Sequence, residues 1–159
     1  MQTEFRRAEL PREIRSLVRF DHLAFAEYPN DWFHADYWRN LDSWWLIVDG
    51  RKIGCCAFEP HVEFREDLGE PNRTRKGSLY IVSTAVLPRF RGFGFGTLMK
   101  SWQIAYARAH GFNRIITNTR KSNRAMVRLN KKFTFVVVRT SPNYYSGPSE
   151  PTVVMELRF

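Results

Sequence analysis

The chain has 159 residues, of which 43% are hydrophobic and 15% aromatic. This is enough apolar material for one buried core, so we expect a single domain over residues 1–159. The 25 Lys and Arg residues outnumber the 16 Asp and Glu residues, and the net charge of +9 would suit nucleic acid, an acidic protein surface or a polyphosphate cofactor. No apolar run approaches the roughly 18 residues of a membrane helix, and the start lacks the apolar region of a secretory signal. We therefore predict a cytoplasmic protein with no membrane partner.

The two cysteines, Cys55 and Cys56, are adjacent in the chain. Adjacent cysteines are poorly placed for a mutual disulfide, and neither has the Cys or His neighbours of a zinc site. We expect both to be small buried strand residues in a reducing compartment, and we expect no metal.

The first half of the chain predicts a helix, an aromatic segment and a β-hairpin. Apolar residues at helical spacing over Glu13–Phe20, after Pro11, predict an amphipathic helix. The aromatic, turn-rich stretch Tyr28–Trp38 is expected to pack as a loop or short helix over a site. Two strands, Trp44–Val48 and Lys52–Phe58, flank an Asp-Gly pair that is typical of a tight hairpin turn.

The second half alternates strands and helices. The charged segment Glu66–Gly77 is expected to be an exposed connection outside the core, and a strand follows it over Ser78–Leu87. Apolar residues at helical spacing predict a helix that starts at Gly96 and is closed by Gly111. The remaining predicted elements are a strand at Arg114–Thr119, a helix at Asn123–Lys132, a strand at Phe135–Arg139 and a strand at Thr152–Phe159. This order indicates a mixed α/β sheet in one domain.

Three glycines, Gly92, Gly94 and Gly96, lie between a predicted strand and a predicted helix. Backbone N–H groups without side chains can converge there on an anion, and Arg91 adds a fixed positive charge to the helix dipole. The spacing matches neither the dinucleotide-binding G-x-G-x-x-G pattern nor the Gly-Lys-Ser/Thr pattern of P-loop proteins. A phosphate-binding loop is one interpretation, and a tight turn that uses glycine for steric reasons is the alternative.

The segment Ala85–Gly96 resembles the signature of the GNAT superfamily of N-acetyltransferases. That signature is a hydrophobic strand and a proline, followed by Arg/Gln-x-x-Gly-x-Gly/Ala, which is matched here by Arg91, Gly94 and Gly96.

A second segment, Asn123–Phe135, resembles the family's Asn-x-x-Ala/Met-x-x-Leu-Tyr/Asn-x-x-x-Gly-Phe motif at the right distance from the first. Two departures stand out. Asn130 occupies the place where many members have a general-acid tyrosine, and Thr134 replaces the usual glycine. The resemblance covers about half of the chain, from Leu79 to Phe135.

The resemblance implies a single-domain GNAT fold, with a mixed, mostly antiparallel sheet flanked by helices and a splayed central strand pair. It also implies acetyl-CoA as the cofactor, with its pyrophosphate at the glycine loop and its pantetheine hydrogen-bonded to strand backbone. Backbone N–H groups near Ala85 and Val86 would polarise the thioester carbonyl. The cofactor-binding residues implied in this way are Ala85, Val86, Arg91, Gly92, Phe93, Gly94, Phe95, Gly96, Thr97, Asn123 and Asn130.

Catalytic residues are harder to choose. Tyr80 lies where related acetyltransferases place a Glu, His or Tyr, and could relay the amine's proton through water; the alternative is an aromatic strand residue packed in the sheet. Glu59 and His61 alternate on the preceding strand and are reserve bases, unless they are plain surface residues. The amide of Asn130 could hydrogen-bond the departing sulfur. Asn118 is a further polar candidate, and Asn123 is equally suited to cap a helix.

The pair Tyr144 and Tyr145, before a final strand, is similar to the end of RimI-like protein N-terminal acetyltransferases, where such a pair lines the acceptor pocket. The alternative is a β-hairpin with aromatic packing. The leading prediction is thus an acetyl-CoA-dependent N-acetyltransferase that moves an acetyl group by direct transfer to a primary amine, either a protein N-terminus or a small molecule.

The sequence leaves two alternative functions open. A non-catalytic acyl-CoA-binding module would fit Asn130 and the lack of an obvious carboxylate base. A basic nucleic-acid-binding domain would fit the charge but lacks a recognised motif, so nucleic acid is an unfavoured partner. We expect a monomer or a homodimer.

Overall fold

The computed structural model describes residues 1–27, 35–62, 65–70 and 77–159, except for the side chain of His61. The strands are β1 (Thr3–Arg7), β2 (Asp42–Val48), β3 (Arg51–Val62), β4 (Ser78–Val86), β5 (Arg114–Arg120), β6 (Val136–Ser146) and β7 (Ser149–Arg158). The helices are α1 (Ile14–Ala24), α2 (Ala35–Trp38), α3 (Phe95–Ala109) and α4 (Arg124–Lys132). Two compact units are formed, one by Met1–Glu59 with Ser83–Met99 and the other by Pro60–Val82 with Lys100–Phe159.

The strands are hydrogen-bonded in the order β1-β2-β3-β4-β5-β7-β6. The pairs β1–β2, β2–β3, β5–β7 and β6–β7 are antiparallel, whereas β4 and β5 are parallel. The register of β4 with β5 runs from Ser78↔Arg114 to Ile81↔Thr117, although β4 continues to Val86 and β5 to Arg120. The mixed, mostly antiparallel sheet is therefore confirmed, and the splay of the central strand pair stays a prediction.

The predicted hairpin is present in the first unit as β2 and β3. Its turn residues Asp49 and Gly50 both have positive φ, 46° and 77°, which is the turn geometry that matches the twist of a two-residue hairpin. Cys55 and Cys56 are buried free cysteines on β3, as expected, and burial raises the pKa of the Cys55 thiol. The edge strand β1 was not predicted. It pairs with β2 from Thr3↔Val48 to Arg7↔Trp44.

Helix α1 buries the apolar stripe that the sequence predicted, including Ile14, Leu17 and Phe20. Glu13 was expected inside the helix but precedes it, and its carboxylate instead joins three parts of the first unit. It accepts hydrogen bonds from Arg6 Nη2 at 3.0 Å, from Lys52 Nζ at 2.6 Å and from the backbone N–H of Glu9 at 2.8 Å. Glu13 is only 6% exposed, and these hydrogen bonds offset the cost of removing its charged carboxylate from water.

The segment predicted as an exposed connection partly belongs to the core of the second unit, so that prediction was wrong for two residues. Leu68 is fully buried, and Glu70 is 5% exposed. Glu70 binds the buried guanidinium of Arg114 at 2.5 Å and accepts from the backbone N–H of Arg65 at 2.6 Å. A buried charge needs such a partner, and this pairing anchors the 3-10 helix Glu66–Leu68.

Helix α4 begins and ends with recognisable caps. The side chain of Asn123 accepts from the backbone N–H of Met126 at 3.2 Å, so Asn123 is the N-cap that was one of its two predicted roles. At the other end, Thr134 has a φ of 66°, at the position where the resemblance would place glycine. The predicted cap Gly111 of α3 likewise has a positive φ, 76°.

Of the predicted aromatic segment Tyr28–Trp38, residues 28–34 lie outside the described part of the chain, and the rest forms the short helix α2 with Trp38 buried. Among the described residues, no helix has the length and apolar character needed to cross a membrane.

Candidate active site

The glycine loop leads from β4 into the N-terminus of α3. After the 3-10 turn Pro88–Phe90, Gly92 and Gly94 have φ of 82° and 88°, which residues with a β-carbon rarely adopt. The first hydrogen bond of the helix is donated by the N–H of Leu98 to the carbonyl of Gly94, at 3.0 Å. The preceding N–H groups, those of Phe95, Gly96 and Thr97, have no acceptor within the helix, and such groups bind anions.

The surface of this loop is open. Gly92, Phe93 and Gly94 are exposed, and a β-carbon built on either glycine would meet no atom within 4 Å. Phe95 is buried and anchors the first turn of α3, while Phe93 is 73% exposed. The residues present therefore fit a phosphate group: bare backbone, free space and a helix N-terminus come together within one unit.

Arg91 contacts carbonyl oxygens rather than facing away from the protein. Its Nε donates to the carbonyl of Val86 at 2.9 Å, and its Nη2 donates to the carbonyl of Ala24 at 2.6 Å. Ala24 is the last residue of α1, where helix carbonyls lack internal partners and a cation is favourable. Arg91 thus ties the end of α1 to the end of β4, and its contact with a phosphate stays a prediction.

Gly54 on β3 is a supporting residue that the sequence did not point to. A β-carbon there would lie 2.8 Å from the sulfur of Met99, 3.1 Å from Cβ of Leu46 and 3.3 Å from the carbonyl of Ala85. Gly54 therefore allows β3 to pack closely against the strand that leads into the loop. Ala85 is buried and Val86 is half-buried.

A chain of polar side chains lies in the second unit. Tyr80 is only 3% exposed, and its hydroxyl donates to Oδ1 of Asn118. Nδ2 of Asn118 donates to the hydroxyl of Thr152 at 3.0 Å and to that of Tyr145 at 3.3 Å. Three predicted candidates, Tyr80, Asn118 and Tyr145, are thus brought together by direct hydrogen bonds. Tyr80 also packs in a buried cluster with Leu68, Ile116 and Val154, as expected of an aromatic strand residue packed in the sheet, which was the alternative interpretation.

The tyrosine pair lies at the end of the β6–β7 hairpin, so the predicted hairpin is present. The rings of Tyr144 and Tyr145 meet edge to face, with centroids 4.9 Å apart. Tyr144 donates to Oδ2 of Asp67 at 3.2 Å. Burial, together with the negative charge of Asp67, raises the pKa of Tyr144, and burial raises the pKa of Tyr145. Both hydroxyls are therefore protonated at physiological pH.

Two ion pairs lie beside the rings of Tyr80 and Tyr145. Arg65 forms a two-pronged ion pair with Asp67, at 2.9 Å for each contact, and its guanidinium lies 4.4 Å from the ring centroid of Tyr80. The guanidinium of Arg120 lies 4.3 Å from the ring centroid of Tyr145 and binds Glu150 at 3.1 Å. The sequence showed none of these contacts, and all of them except the local Arg65–Asp67 pair join residues that are far apart in the chain.

The remaining candidates are less informative. Asn130 is 1% exposed, its Nδ2 donates to the sulfur of Met155 at 3.7 Å, and its Oδ1 is buried without a hydrogen-bond partner. Glu59 is half-buried on β3. His61 lies on the same strand, but its side chain is outside the described residues.

A model of the acetyltransferase (GNAT) family matches residues 12–135, well over half of the chain. The chain belongs to this family. It is an acetyltransferase, and the resemblance noted in its two motifs is confirmed.

Similar proteins agree with this GNAT assignment. An N-alpha-acetyltransferase of Sulfurisphaera tokodaii is 25% identical over 139 residues, which cover 84% of this chain and 81% of the relative. The ribosomal-protein-S18-alanine N-acetyltransferase of Escherichia coli superimposes with a TM-score of 0.76 at 16% identity, covering 99% of this chain and 94% of the other. Arabidopsis thaliana NAA60, solved in complex with acetyl-CoA, gives 0.78 at 17% identity, covering 99% of each chain. The two structures share the GNAT fold with this chain.

Proposed function

We propose that this GNAT protein transfers an acetyl group from acetyl-CoA directly to a primary amine, namely the α-amine of a protein N-terminus. The observation that carries the proposal is the open glycine loop at the N-terminus of α3 in a member of an acetyltransferase family. The relatives named N-alpha-acetyltransferases support the choice of acceptor.

The backbone of the chain would hold the cofactor. The N–H groups of Phe95, Gly96 and Thr97 suit its pyrophosphate, because the helix dipole and the unpaired donors favour negative charge there. The backbone around Ala85 and Val86, at the end of β4, would suit an extended ligand that adds as a strand would. When bound, acetyl-CoA supplies the acetyl group as a reactive thioester.

The pKa of the acceptor amine decides how readily it is acetylated. An amine attacks a thioester only when it is neutral; an α-amine with a pKa of about 8 is partly neutral at physiological pH, whereas a lysine amine of about 10.4 is almost wholly charged. Among the described residues, the carboxylates beside the tyrosines, Asp67 and Glu150, are held in ion pairs with Arg65 and Arg120, and such a site suits the α-amine. The Tyr80 hydroxyl donates a hydrogen bond to Oδ1 of Asn118, so we assign it a hydrogen-bonding role in place of the predicted relay of the amine's proton through water.

Turnover distinguishes this proposal from a non-catalytic acyl-CoA-binding module. The purified protein is incubated with acetyl-CoA and a peptide that has a free α-amine, and the release of CoA thiol is followed. We expect release that needs the peptide and saturates with it. Calorimetric binding of acetyl-CoA without release for any of a panel of peptide and small-molecule amines would favour the binding module. Release only with small-molecule amines would keep the acetyl transfer and overturn the acceptor.

A further inference from the structure

Asn118 lies within β5 and uses the two ends of its amide for different partners. Its Oδ1 accepts from the Tyr80 hydroxyl, and its Nδ2 donates to the hydroxyls of Thr152 and Tyr145. An amide is suited to this because one planar group offers both an acceptor and two donors. A carboxylate of the same shape would offer acceptors alone.

The hydroxyl of Thr152 decides which way the amide faces. That hydroxyl has one proton, which it donates to the carbonyl of Thr119 at 3.1 Å. Toward Asn118 it can therefore offer only lone pairs, so the group that faces it has to be the Nδ2 donor. The opposite end of the amide, Oδ1, then faces Tyr80, and the hydroxyl of Tyr80 is the donor.

The same reasoning leaves the proton of Tyr145 uncommitted. Its oxygen accepts from Nδ2 of Asn118, the hydroxyls of Tyr145 and Thr152 are 3.5 Å apart, and the Tyr145 side chain makes no other hydrogen bond among the described residues. Hydroxyl hydrogen bonds are commonest at about 2.7–2.8 Å, so a contact of this length is weak. Tyr145 thus has a donor available for a ligand.

We infer that Asn118 is a positioning residue that sets the direction of both tyrosine protons, toward the protein at Tyr80 and toward a bound acceptor substrate at Tyr145. The inference rests on the proposed transfer to an amine for its catalytic consequence, but the hydrogen-bond directions hold without it. The substrate group that Tyr145 meets is a hydrogen-bond acceptor such as a peptide carbonyl.

The isosteric variant N118D tests the inference through pH. Two ion pairs lie beside these hydrogen-bonded side chains: Arg65 with Asp67, against the ring of Tyr80, and Arg120 with Glu150, against the ring of Tyr145. Above its own pKa, the introduced carboxylate offers no donor and captures the Tyr145 proton. Below that pKa, the carboxylic acid regains one donor and one acceptor and resembles the native amide.

We expect the ratio of kcat/KM in N118D to that in wild type to fall about tenfold as pH rises through the pKa of the introduced carboxyl, with the KM for acetyl-CoA unchanged. Taking the ratio at each pH cancels the ionisation of the amine substrate. N113D makes the same change at an exposed residue before β5, and its ratio should stay flat. A flat ratio for N118D, at wild-type level or uniformly reduced, would overturn the inference.

A measurement on the wild-type protein needs neither turnover nor a folded variant. In NMR spectra with labelled asparagine, the Asn118 side-chain N–H protons should show NOEs to Thr152 and Tyr145. NOEs to the Tyr80 ring in their place would mean that the amide faces the other way and would end the inference. If these NOEs are found and no amine is acetylated, the proposed function fails while the assigned hydrogen-bond directions stand.

Discussion

Replacing Thr134 with glycine should make the protein more stable. Helix α4 ends in a pair of backbone hydrogen bonds, from the N–H of Phe135 to the carbonyl of Asn130 at 3.1 Å and from the N–H of Thr134 to that of Lys131 at 2.9 Å. This motif needs a left-handed residue at its centre, and Thr134 adopts a φ of 66° to provide it. Threonine is β-branched, so the conformation is strained, and glycine would adopt it freely.

The size of the gain follows from two opposing contributions. A residue with a β-carbon loses roughly 1–2 kcal/mol in the left-handed region. Glycine loses about 0.5–1 kcal/mol more backbone entropy on folding than alanine does. Thr134 is exposed, and its hydroxyl donates only to the neighbouring carbonyl of Phe133, so losing that bond costs little. The net gain is about 1 kcal/mol, or about 2–4 °C in Tm for a chain of this size.

Urea unfolding and thermal melting measure this difference against two controls. Thr134→Ala keeps the β-carbon and should give little of the gain. Thr140→Gly changes an exposed threonine on the extended strand β6, and should lose about 0.5–1 kcal/mol because glycine there relieves no strain. A Thr134→Gly variant no more stable than wild type, or one that loses as much as Thr140→Gly, would refute the reasoning.

Two further predictions concern the cofactor loop and acid stability. Gly94→Val should weaken acetyl-CoA binding in calorimetry by about tenfold or more, whereas Gly111→Val, with a similar positive φ and equally open surroundings, should not; equal losses would remove the loop from the site. Burial disfavours the charge of Glu13, but hydrogen bonds from Arg6 and Lys52 hold the pKa of Glu13 well below its ordinary value. That stabilisation is complete above the unfolded-state pKa of about 4.3 and is lost as pH falls below it, so the free energy of unfolding should fall less steeply with acid in Glu13→Gln than in wild type. Parallel curves for the two proteins would contradict this.

Much of the fold could be predicted because most elements have local signals. The apolar stripe of α1, the Asp-Gly turn between β2 and β3 and the capping glycine of α3 each act within a few residues. Strand β1 was missed because it is an edge strand with a mixed exposed and half-buried pattern, which shows no clear alternation. Glu70 was misplaced for a different reason: its partner Arg114 is 44 positions away, and no local pattern reveals such a pair.

The candidate site divides in the same way. The glycine loop was predictable, since its spacing and its place before a helix have a direct physical meaning. The hydrogen bonds of Arg91 were not, because one of its acceptors is the carbonyl of Ala24, 67 residues earlier. Asn118 could be named as polar, but its role depends on Tyr80 and Thr152, which come from other strands.

The position of the acetyl group on a peptide tests the central claim most directly. A peptide that carries both a free α-amine and an internal lysine is incubated with the protein and acetyl-CoA near neutral pH, and fragment-ion mass spectrometry locates the added acetyl group. Because the described carboxylates Asp67 and Glu150 are held in ion pairs, we predict acetylation of the α-amine well ahead of the lysine. Acetylation mainly at the lysine, or at neither amine while acetyl-CoA binds, would contradict the account.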